Sequence, residues 1–187
     1  MEADHNVILN AFPTVLSDDV HTILKEVPLT SSIKPTGSFK VLVHGEPLQI
    51  PYRVYYDDLH LLYENQLTPS QSKILYCLFT RHHNGYIREQ HLQQLLSSYN
   101  DEIWVLPFVM RLLGEYVIEI LQVINSNIRL FDKNNILSFI NDNPDFFQTT
   151  ERRVISYWNE YYRNLYPNKQ DYVGFQIIDY LKSIIQK

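Results

Sequence analysis

Residues 103–124 read IWVLPFVMRLLGEYVIEILQVI, a segment in which almost every side chain is apolar. With a helical rotation of about 100° per residue, apolar side chains occupy most of the circumference. One narrow stripe collects the polar residues Arg111, Glu115, Glu119 and Gln122. A helix that is apolar nearly all round is covered by other elements of the protein. The sequence therefore predicts one long helix over residues 103–124 at the centre of the fold.

The other helices are predicted from capping residues and apolar spacing. Thr68-Pro69-Ser70-Gln71 combines a capping box with proline at the first helical position. Asn84-Gly85 is expected to close that helix with a left-handed cap. Further helices are predicted to begin near Ser17, Glu89, Asp132, Thr149 and Tyr172. In all, the spacing indicates about seven helices.

The only convincing β-strand pattern lies between residues 39 and 55. Phe39, Val41 and Val43 occupy one face of a strand, and the same alternation resumes after Gly45. Two alternating arms around a glycine-containing turn predict a β-hairpin. We therefore expect a mainly α protein with a small N-terminal hairpin. Residues 1–187 are expected to form a single domain, with a helix and the hairpin in 1–56 and a helical core in 57–187.

Composition narrows the class of protein. The chain has 187 residues, of which 45% are hydrophobic, and this excludes an intrinsically disordered chain. Its formal net charge is −5, whereas a dedicated nucleic-acid binder normally carries a basic surplus. The single cysteine, Cys77, excludes an intrachain disulfide. The acidic start of the sequence and the lack of an apolar run of about 18 residues predict a cytoplasmic protein without a membrane segment.

Two arginines and two histidines surround the turn at Asn84-Gly85, and they are Arg81, His82, His83 and Arg88. Arginine forks bind phosphate or carboxylate and histidines relay protons, so the turn is a candidate anion-binding or interaction site that we expect to be exposed. Alternatively, these side chains only stabilise the carboxyl end of the helix that starts at Pro69. Adjacent histidines without a cysteine or a spaced carboxylate do not predict a metal site.

Arginine and aromatic residues alternate in RRVISYWNEYYR, residues 152–163, as they do in platforms that stack single-stranded nucleic acid. Helical spacing nevertheless predicts one buried stripe made of Val154, Tyr157, Trp158, Tyr161 and Leu165. Arg152, Arg153 and Tyr162 lie off that stripe and are candidate interaction residues. The chain has 14 tyrosines, which fit either an adhesive surface or a compositional bias of the source genome.

One local pattern resembles the opening of a winged-helix domain, with LTPSQ at 67–71, GYIRE at 85–89, and leucines at 92, 95 and 96. In that family, a helix, a short strand and a second helix precede the helix that reads DNA. The resemblance implies nucleic-acid binding, for which the basic candidates are Arg81, Arg88, Arg152 and Arg153. The sequence departs from the family at residues 103–108, which read IWVLPF where a DNA-reading helix offers polar side chains.

The sequence carries no enzyme signature such as a glycine-rich phosphate loop, G-x-S-x-G or H-E-x-x-H. No catalytic residue, cofactor or metal is therefore predicted, and a non-catalytic protein is favoured. We expect the protein to act by binding another protein, as adaptors, inhibitors and antitoxin-like proteins do. The alternatives are nucleic-acid binding by the four arginines and an enzyme with an anion pocket at His82-His83.

The acidic balance predicts that the protein passes through a heparin column without retention at about 0.15 M salt. Duplex and single-stranded DNA are expected to give no band shift under the same conditions, because few counterions would be released on binding. A submicromolar complex whose affinity falls steeply with added salt would instead favour nucleic-acid binding.

Overall fold

The structure, a computed structural model, describes residues 2–26, 37–57, 66–99 and 101–186. These residues contain nine α-helices and one two-stranded hairpin, which confirms the mainly α fold with a small N-terminal hairpin. Residues 27–36, which precede the predicted hairpin, and residues 58–65, at the start of the predicted helical core, lie outside the described residues. No helix in the described part of the chain is long and apolar enough to cross a membrane.

The chain divides into two units that are each contiguous in sequence, Met1–Tyr99 and Asn100–Lys187. The predicted boundary between an N-terminal subregion and a helical core, after residue 56, falls inside the first unit. The single domain over residues 1–187 stays a prediction.

The described part of the first unit contains, in chain order, α1 (Glu2–Leu9), α2 (Ser17–Glu26), β1 (Ser38–Val43), β2 (Glu46–Pro51), α3 (Pro69–Phe79) and α4 (Gly85–Ser97). The capping box at Thr68 is confirmed, because its hydroxyl accepts from the amide of Gln71 and the Gln71 side chain accepts from the amide of Thr68. Asp19 ties α2 to α3, since its carboxylate accepts hydrogen bonds from Ser70 Oγ and Gln71 Nε2. Helix α1 was not predicted.

The hairpin is antiparallel and pairs Phe39 with Ile50 and Val41 with Leu48. Its turn consists of His44 and Gly45, which have φ values of 49° and 79°. A two-residue turn in which both residues are left-handed matches the twist of an antiparallel strand pair. The turn therefore contains the glycine that the sequence indicated and begins one residue before it, while the predicted alternation of buried residues along β1 is confirmed.

The connection between α3 and α4 also differs from the prediction. Helix α3 ends at Phe79, and Asn84 caps the start of α4 by accepting a hydrogen bond from the amide of Tyr86 at 3.0 Å. Gly85 is the first residue of α4 and does not adopt a positive φ. Asn84-Gly85 therefore opens a helix rather than closing one, because the asparagine side chain satisfies an otherwise free N-terminal amide.

The described part of the second unit contains α5 (Leu106–Leu112), α6 (Ile118–Asn127), α7 (Lys133–Asp142), α8 (Pro144–Tyr157) and α9 (Val173–Ile185). Asp132 caps α7 as predicted, since its Oδ1 accepts from the amides of Asn134 and Asn135. Helix α8 begins at Pro144, well before the predicted start at Thr149, because proline is suited to the first helical turn. A π-helical turn over Trp158–Tyr162 follows α8 directly.

The prediction of one continuous helix over residues 103–124 is wrong, because the chain is not helical between Leu112 and Ile118. Gly114 lies in this interruption, and glycine is a poor helix former. A Cβ atom at position 114 would lie 2.9 Å from Cδ of Arg153, so this backbone stretch passes directly under the Arg153 side chain. Glu115, expected on a solvent-facing stripe, is buried in the interruption.

Helix α9 takes the central position in the second unit that the sequence assigned to residues 103–124. It packs against α6, α7 and α8. Its buried residues recur at helical spacing and are Gly174, Ile177, Ile178, Leu181 and Ile184. Helix α6 likewise buries one stripe, made of Ile120, Leu121 and Ile124.

We expect Ile120→Ala to lower the free energy of unfolding by about 2–5 kcal/mol, because it removes a fully buried aliphatic side chain and leaves a cavity. Leu130→Ala is the matched control, since Leu130 is 62% exposed and its truncation should cost less than about 0.5 kcal/mol. Urea denaturation of the two variants measures both values. Equal midpoints would contradict the burial of Ile120.

Candidate functional site

The structure buries most of the Arg/His turn that the sequence marked as an exposed cluster. Arg81, His82 and Arg88 are almost completely buried, and His83 alone of the four is exposed. The expectation of an exposed cluster is therefore wrong for three of its members. The turn follows the end of α3 at Phe79 by only a few residues, yet three of its four basic side chains are buried rather than exposed to solvent.

Both ring nitrogens of His82 bond to the backbone. Nδ1 accepts a hydrogen bond from the amide of Asn84 at 3.1 Å, and Nε2 lies 2.8 Å from the carbonyl oxygen of Tyr56. Because a carbonyl oxygen only accepts, Nε2 carries the proton and the ring is the neutral Nε2–H tautomer. A second proton on Nδ1 would remove the acceptor of the Asn84 amide. His82 therefore fastens the chain that leaves the hairpin to the start of α4.

Arg88 and the backbone of Val54 make further hydrogen bonds to this turn. Arg88 Nη1 donates to the carbonyl oxygens of His82 and His83, both at 2.9 Å. Val54 bonds to the same turn in a parallel bridge, since its amide donates to the carbonyl of Arg81 and its carbonyl accepts from the amide of His83. The turn thus has a clear structural role, and of its two histidine rings only that of His83 is left at the surface.

The other arginine candidates lie in the second unit. Arg152 is exposed, while Arg153 is half-buried and lies across Gly114. The four arginines considered for nucleic-acid binding therefore fall two in each unit, and the pair in the first unit is buried. The segment that corresponds to the winged-helix recognition helix, α5, is buried on nearly all sides and belongs to the second unit.

The aromatic segment after α8 exposes residues that were predicted to be buried. Within 144–162 the buried stripe is Phe147, Thr150, Val154 and Trp158, whereas Tyr161 is 56% and Leu165 is 72% exposed. The cause is the π-helical turn, in which the amide of Arg163 donates to the carbonyl of Trp158 at 2.8 Å. A π turn holds one residue more than an α turn, so every later side chain is displaced around the helix axis.

Three tyrosine rings meet on this face of the second unit. The ring centroids of Tyr116 and Tyr157 are 6.1 Å apart, those of Tyr116 and Tyr161 are 5.9 Å apart, and those of Tyr157 and Tyr161 are 6.0 Å apart. Tyr116 is 51% exposed. We call Tyr116, Tyr157, Tyr161 and the neighbouring Tyr162 the tyrosine surface. It brings together residues from the break before α6 and from the end of α8.

Tyr162 anchors this surface to the interior of the second unit. Its hydroxyl donates to the carbonyl oxygen of Tyr116 at 2.5 Å, and its ring stacks on that of Tyr172 at a centroid distance of 5.2 Å. Tyr172 is fully buried, and Tyr166 contacts both rings. The candidate residue Tyr162 is therefore the link between an exposed and a buried group of aromatic rings.

Burial also fixes the protonation of these phenols. Desolvation raises the pKa of Tyr162, and the nearby carboxylate of Glu119 raises it further. Desolvation raises the pKa of Tyr172 far above its usual value, with the neighbouring phenols of Tyr162 and Tyr166 adding to the effect. The Tyr162 hydroxyl thus keeps its proton at physiological pH and remains a donor to the carbonyl of Tyr116.

Trp158 holds the segment that returns from the π turn. Its Nε1 donates to the carbonyl oxygen of Tyr166 at 2.9 Å. Lys169 Nζ lies 5.3 Å from the centre of the Trp158 ring and 5.5 Å from that of Phe175. The chain between α8 and α9 is therefore fixed by hydrogen-bond and cation–π contacts, although it contains little regular structure.

The described residues contain no group of three or more His, Cys, Asp or Glu side chains placed to hold a metal ion. Comparison with known proteins finds no family model that matches the sequence. It also finds no curated protein and no solved structure that is similar to it. Function is therefore inferred from the arrangement of the side chains.

We expect His82→Ala to lower the free energy of unfolding by about 1–3 kcal/mol, because it leaves the Tyr56 carbonyl and the Asn84 amide without their hydrogen-bond partner. His83→Ala is the control at the adjacent exposed position and should cost less than about 0.5 kcal/mol. Chemical denaturation of both variants checks the difference. A loss for His83→Ala as large as that for His82→Ala would contradict the structural role assigned to His82.

Proposed function

We propose that the protein acts by binding another protein, and that the tyrosine surface is the centre of the contact. The observation that supports this proposal is the mutual contact of Tyr116, Tyr157 and Tyr161, of which Tyr116 and Tyr161 are more than half exposed. Tyrosine is enriched in protein interfaces because one side chain offers a large apolar ring and a hydroxyl for hydrogen bonding. Clustered exposed rings are typical of the residues that carry most of the binding energy.

The contacts that hold Tyr162 in place favour a binding role for the exposed tyrosines. Tyr162 is held by its hydrogen bond to Tyr116 and by its stack on buried Tyr172, so the rings above it are already positioned. A partner would therefore immobilise few additional side-chain rotamers, and binding would cost less conformational entropy. Surface tyrosines without such support would lose more freedom on binding.

The charges around the tyrosine surface indicate the kind of partner. Arg152 and Arg163 are exposed on the same segment, and so is Glu160. The exposed carboxylate of Glu119 lies near Tyr162, so neither sign dominates. We therefore expect a partner surface that is apolar with carbonyl or hydroxyl acceptors for the phenols, and an affinity that changes little with salt. The lone cysteine, Cys77, is a buried free thiol, which fits action in the reducing cytoplasm.

Single-stranded nucleic acid is the alternative ligand for the same surface. Arg153 precedes Tyr157 and Tyr161 at helical spacing, which is the alternation of cation and ring that stacked bases use. Burial of Arg81 and Arg88 leaves the second-unit arginines as the basic contribution from the four candidates. A binding affinity that falls steeply with added salt would distinguish this alternative from protein binding.

The test compares Tyr116→Ala/Tyr161→Ala with wild type in capture experiments from extracts of the source cells, quantified by mass spectrometry. A protein that is lost with the double variant is then purified, and its affinity is measured by calorimetry. We expect the double variant to bind about thirtyfold more weakly, as truncation of central interface tyrosines does.

Tyr86→Ala is the matched control, because Tyr86 is 84% exposed but lies in the first unit, away from the tyrosine surface in sequence and unit. It should bind the partner as wild type does, and circular dichroism should show that both variants are folded. Equal losses for Tyr86→Ala and the double variant would refute the tyrosine surface as the binding site. A ligand that proves to be RNA, with affinity falling steeply in salt, would favour the alternative.

A further inference from the structure

The helix that contributes most rings to the tyrosine surface also carries charges of both signs beside them. Arg153, Tyr157 and Glu160 follow one another at positions i, i+4 and i+7 of α8 and the π turn that continues it. Side chains at this spacing lie above one another on one face of a helix. Along the helix axis this face therefore presents a cation, a ring and a carboxylate in that order, with the ring at the middle.

The two charges do not neutralise each other within the chain. Seven residues of helix separate their Cα atoms by about 10 Å, and neither side chain forms an ion pair with another described residue. Glu160 is exposed and Arg153 is half-buried. The stem of Arg153 rests on the backbone of Gly114, where an added Cβ atom would lie 2.9 Å from Cδ of the arginine. Both charges are thus fixed to the same face, and a partner with the opposite order of charges would pair with both.

The exposed phenols can also pair with copies of themselves. Tyr116 and Tyr161 are more than half exposed, and the Tyr157 ring contacts both of theirs. None of these three hydroxyls forms a hydrogen bond with another described residue, whereas the hydroxyl of Tyr162 is already used. A phenol both donates and accepts hydrogen bonds, and aromatic rings stack favourably on one another. The tyrosine surface therefore offers the rings, donors and acceptors that it would itself require of a partner.

We propose that the tyrosine surface binds the tyrosine surface of a second copy of this chain, about a twofold axis near Tyr157. The inference rests on the proposed function and identifies the partner. Helix α8 of one copy lies antiparallel to α8 of the other, so Arg153 of each copy faces Glu160 of the other and the Tyr157 rings meet at the axis. A twofold interface requires a patch that complements itself. The order of cation, ring and carboxylate meets this requirement, because reversing the helix places each charge opposite one of the other sign.

Sedimentation equilibrium of the full chain between about 1 and 200 μM tests this pairing, and the wild type should dimerise within that range. Arg153→Glu and Glu160→Arg should each weaken the dimer by about tenfold or more, because every dimer then contains two contacts between like charges. The double variant Arg153→Glu/Glu160→Arg should restore the wild-type affinity. An equimolar mixture of the two single variants should restore it as well, since both contacts of the mixed dimer again join opposite charges.

Arg152→Glu is the matched control, because it makes the same change of charge on an exposed side chain about 100° around the helix from Arg153. It should leave the dimer unchanged, whereas Tyr116→Ala/Tyr161→Ala should weaken it as strongly as a charge reversal does. Circular dichroism should show that all variants are folded.

A wild type that stays monomeric at the highest concentration would overturn the inference, and so would charge reversals that the double variant does not rescue. A monomer whose tyrosine surface binds a different protein would overturn this inference alone and leave the proposed function standing. A monomer that binds no protein through the tyrosine surface would refute both.

Discussion

The hydrogen bond from the Arg163 amide to the Trp158 carbonyl, which closes the π-helical turn, determines what the second unit presents to its surroundings. With an α turn at this place, Tyr161 and Leu165 would continue the buried stripe of Val154 and Trp158. The extra residue turns them outward and brings Tyr162 onto Tyr172. The exposure of Tyr161 and the stack of Tyr162 on Tyr172 therefore both accompany this turn.

A π turn inside a helix costs stability relative to regular α geometry, and such turns persist where neighbouring contacts compensate for that cost. Here two side-chain hydrogen bonds compensate for the cost of the π turn. The Trp158 indole bonds to the carbonyl of Tyr166, and the Tyr162 hydroxyl bonds to the carbonyl of Tyr116. Both acceptors are backbone atoms of segments outside regular helices, so the same side chains that stabilise the turn also order the loops around it.

The sequence predicted features that depend on residues close together in the chain, and it missed the two irregularities that shift the register of a helix. The capping box at Thr68 and the cap at Asp132 were recognisable because each depends on residues within one helical turn. The interruption at Gly114 was missed although glycine is a poor helix former, because the Arg153 side chain that lies over it is distant in sequence. The π turn at Trp158–Tyr162 was also missed, because the composition of its residues is ordinary for a helix. The candidate Tyr162 was identified, but Tyr116 and Tyr161 were not, because their exposure depends on those two tertiary features.

Each unit is contiguous in sequence, and this sets the order in which its surfaces come into being during translation. The first unit leaves the ribosome before any residue of the tyrosine surface does. Within the second unit Tyr116 emerges first, the rings after α8 follow, and Tyr172 and α9 come later still. A nascent chain that has not reached residue 172 therefore carries tyrosines without the stack that positions them. The partner binding that we propose for the tyrosine surface would therefore become possible only late in synthesis, once residue 172 and α9 have emerged.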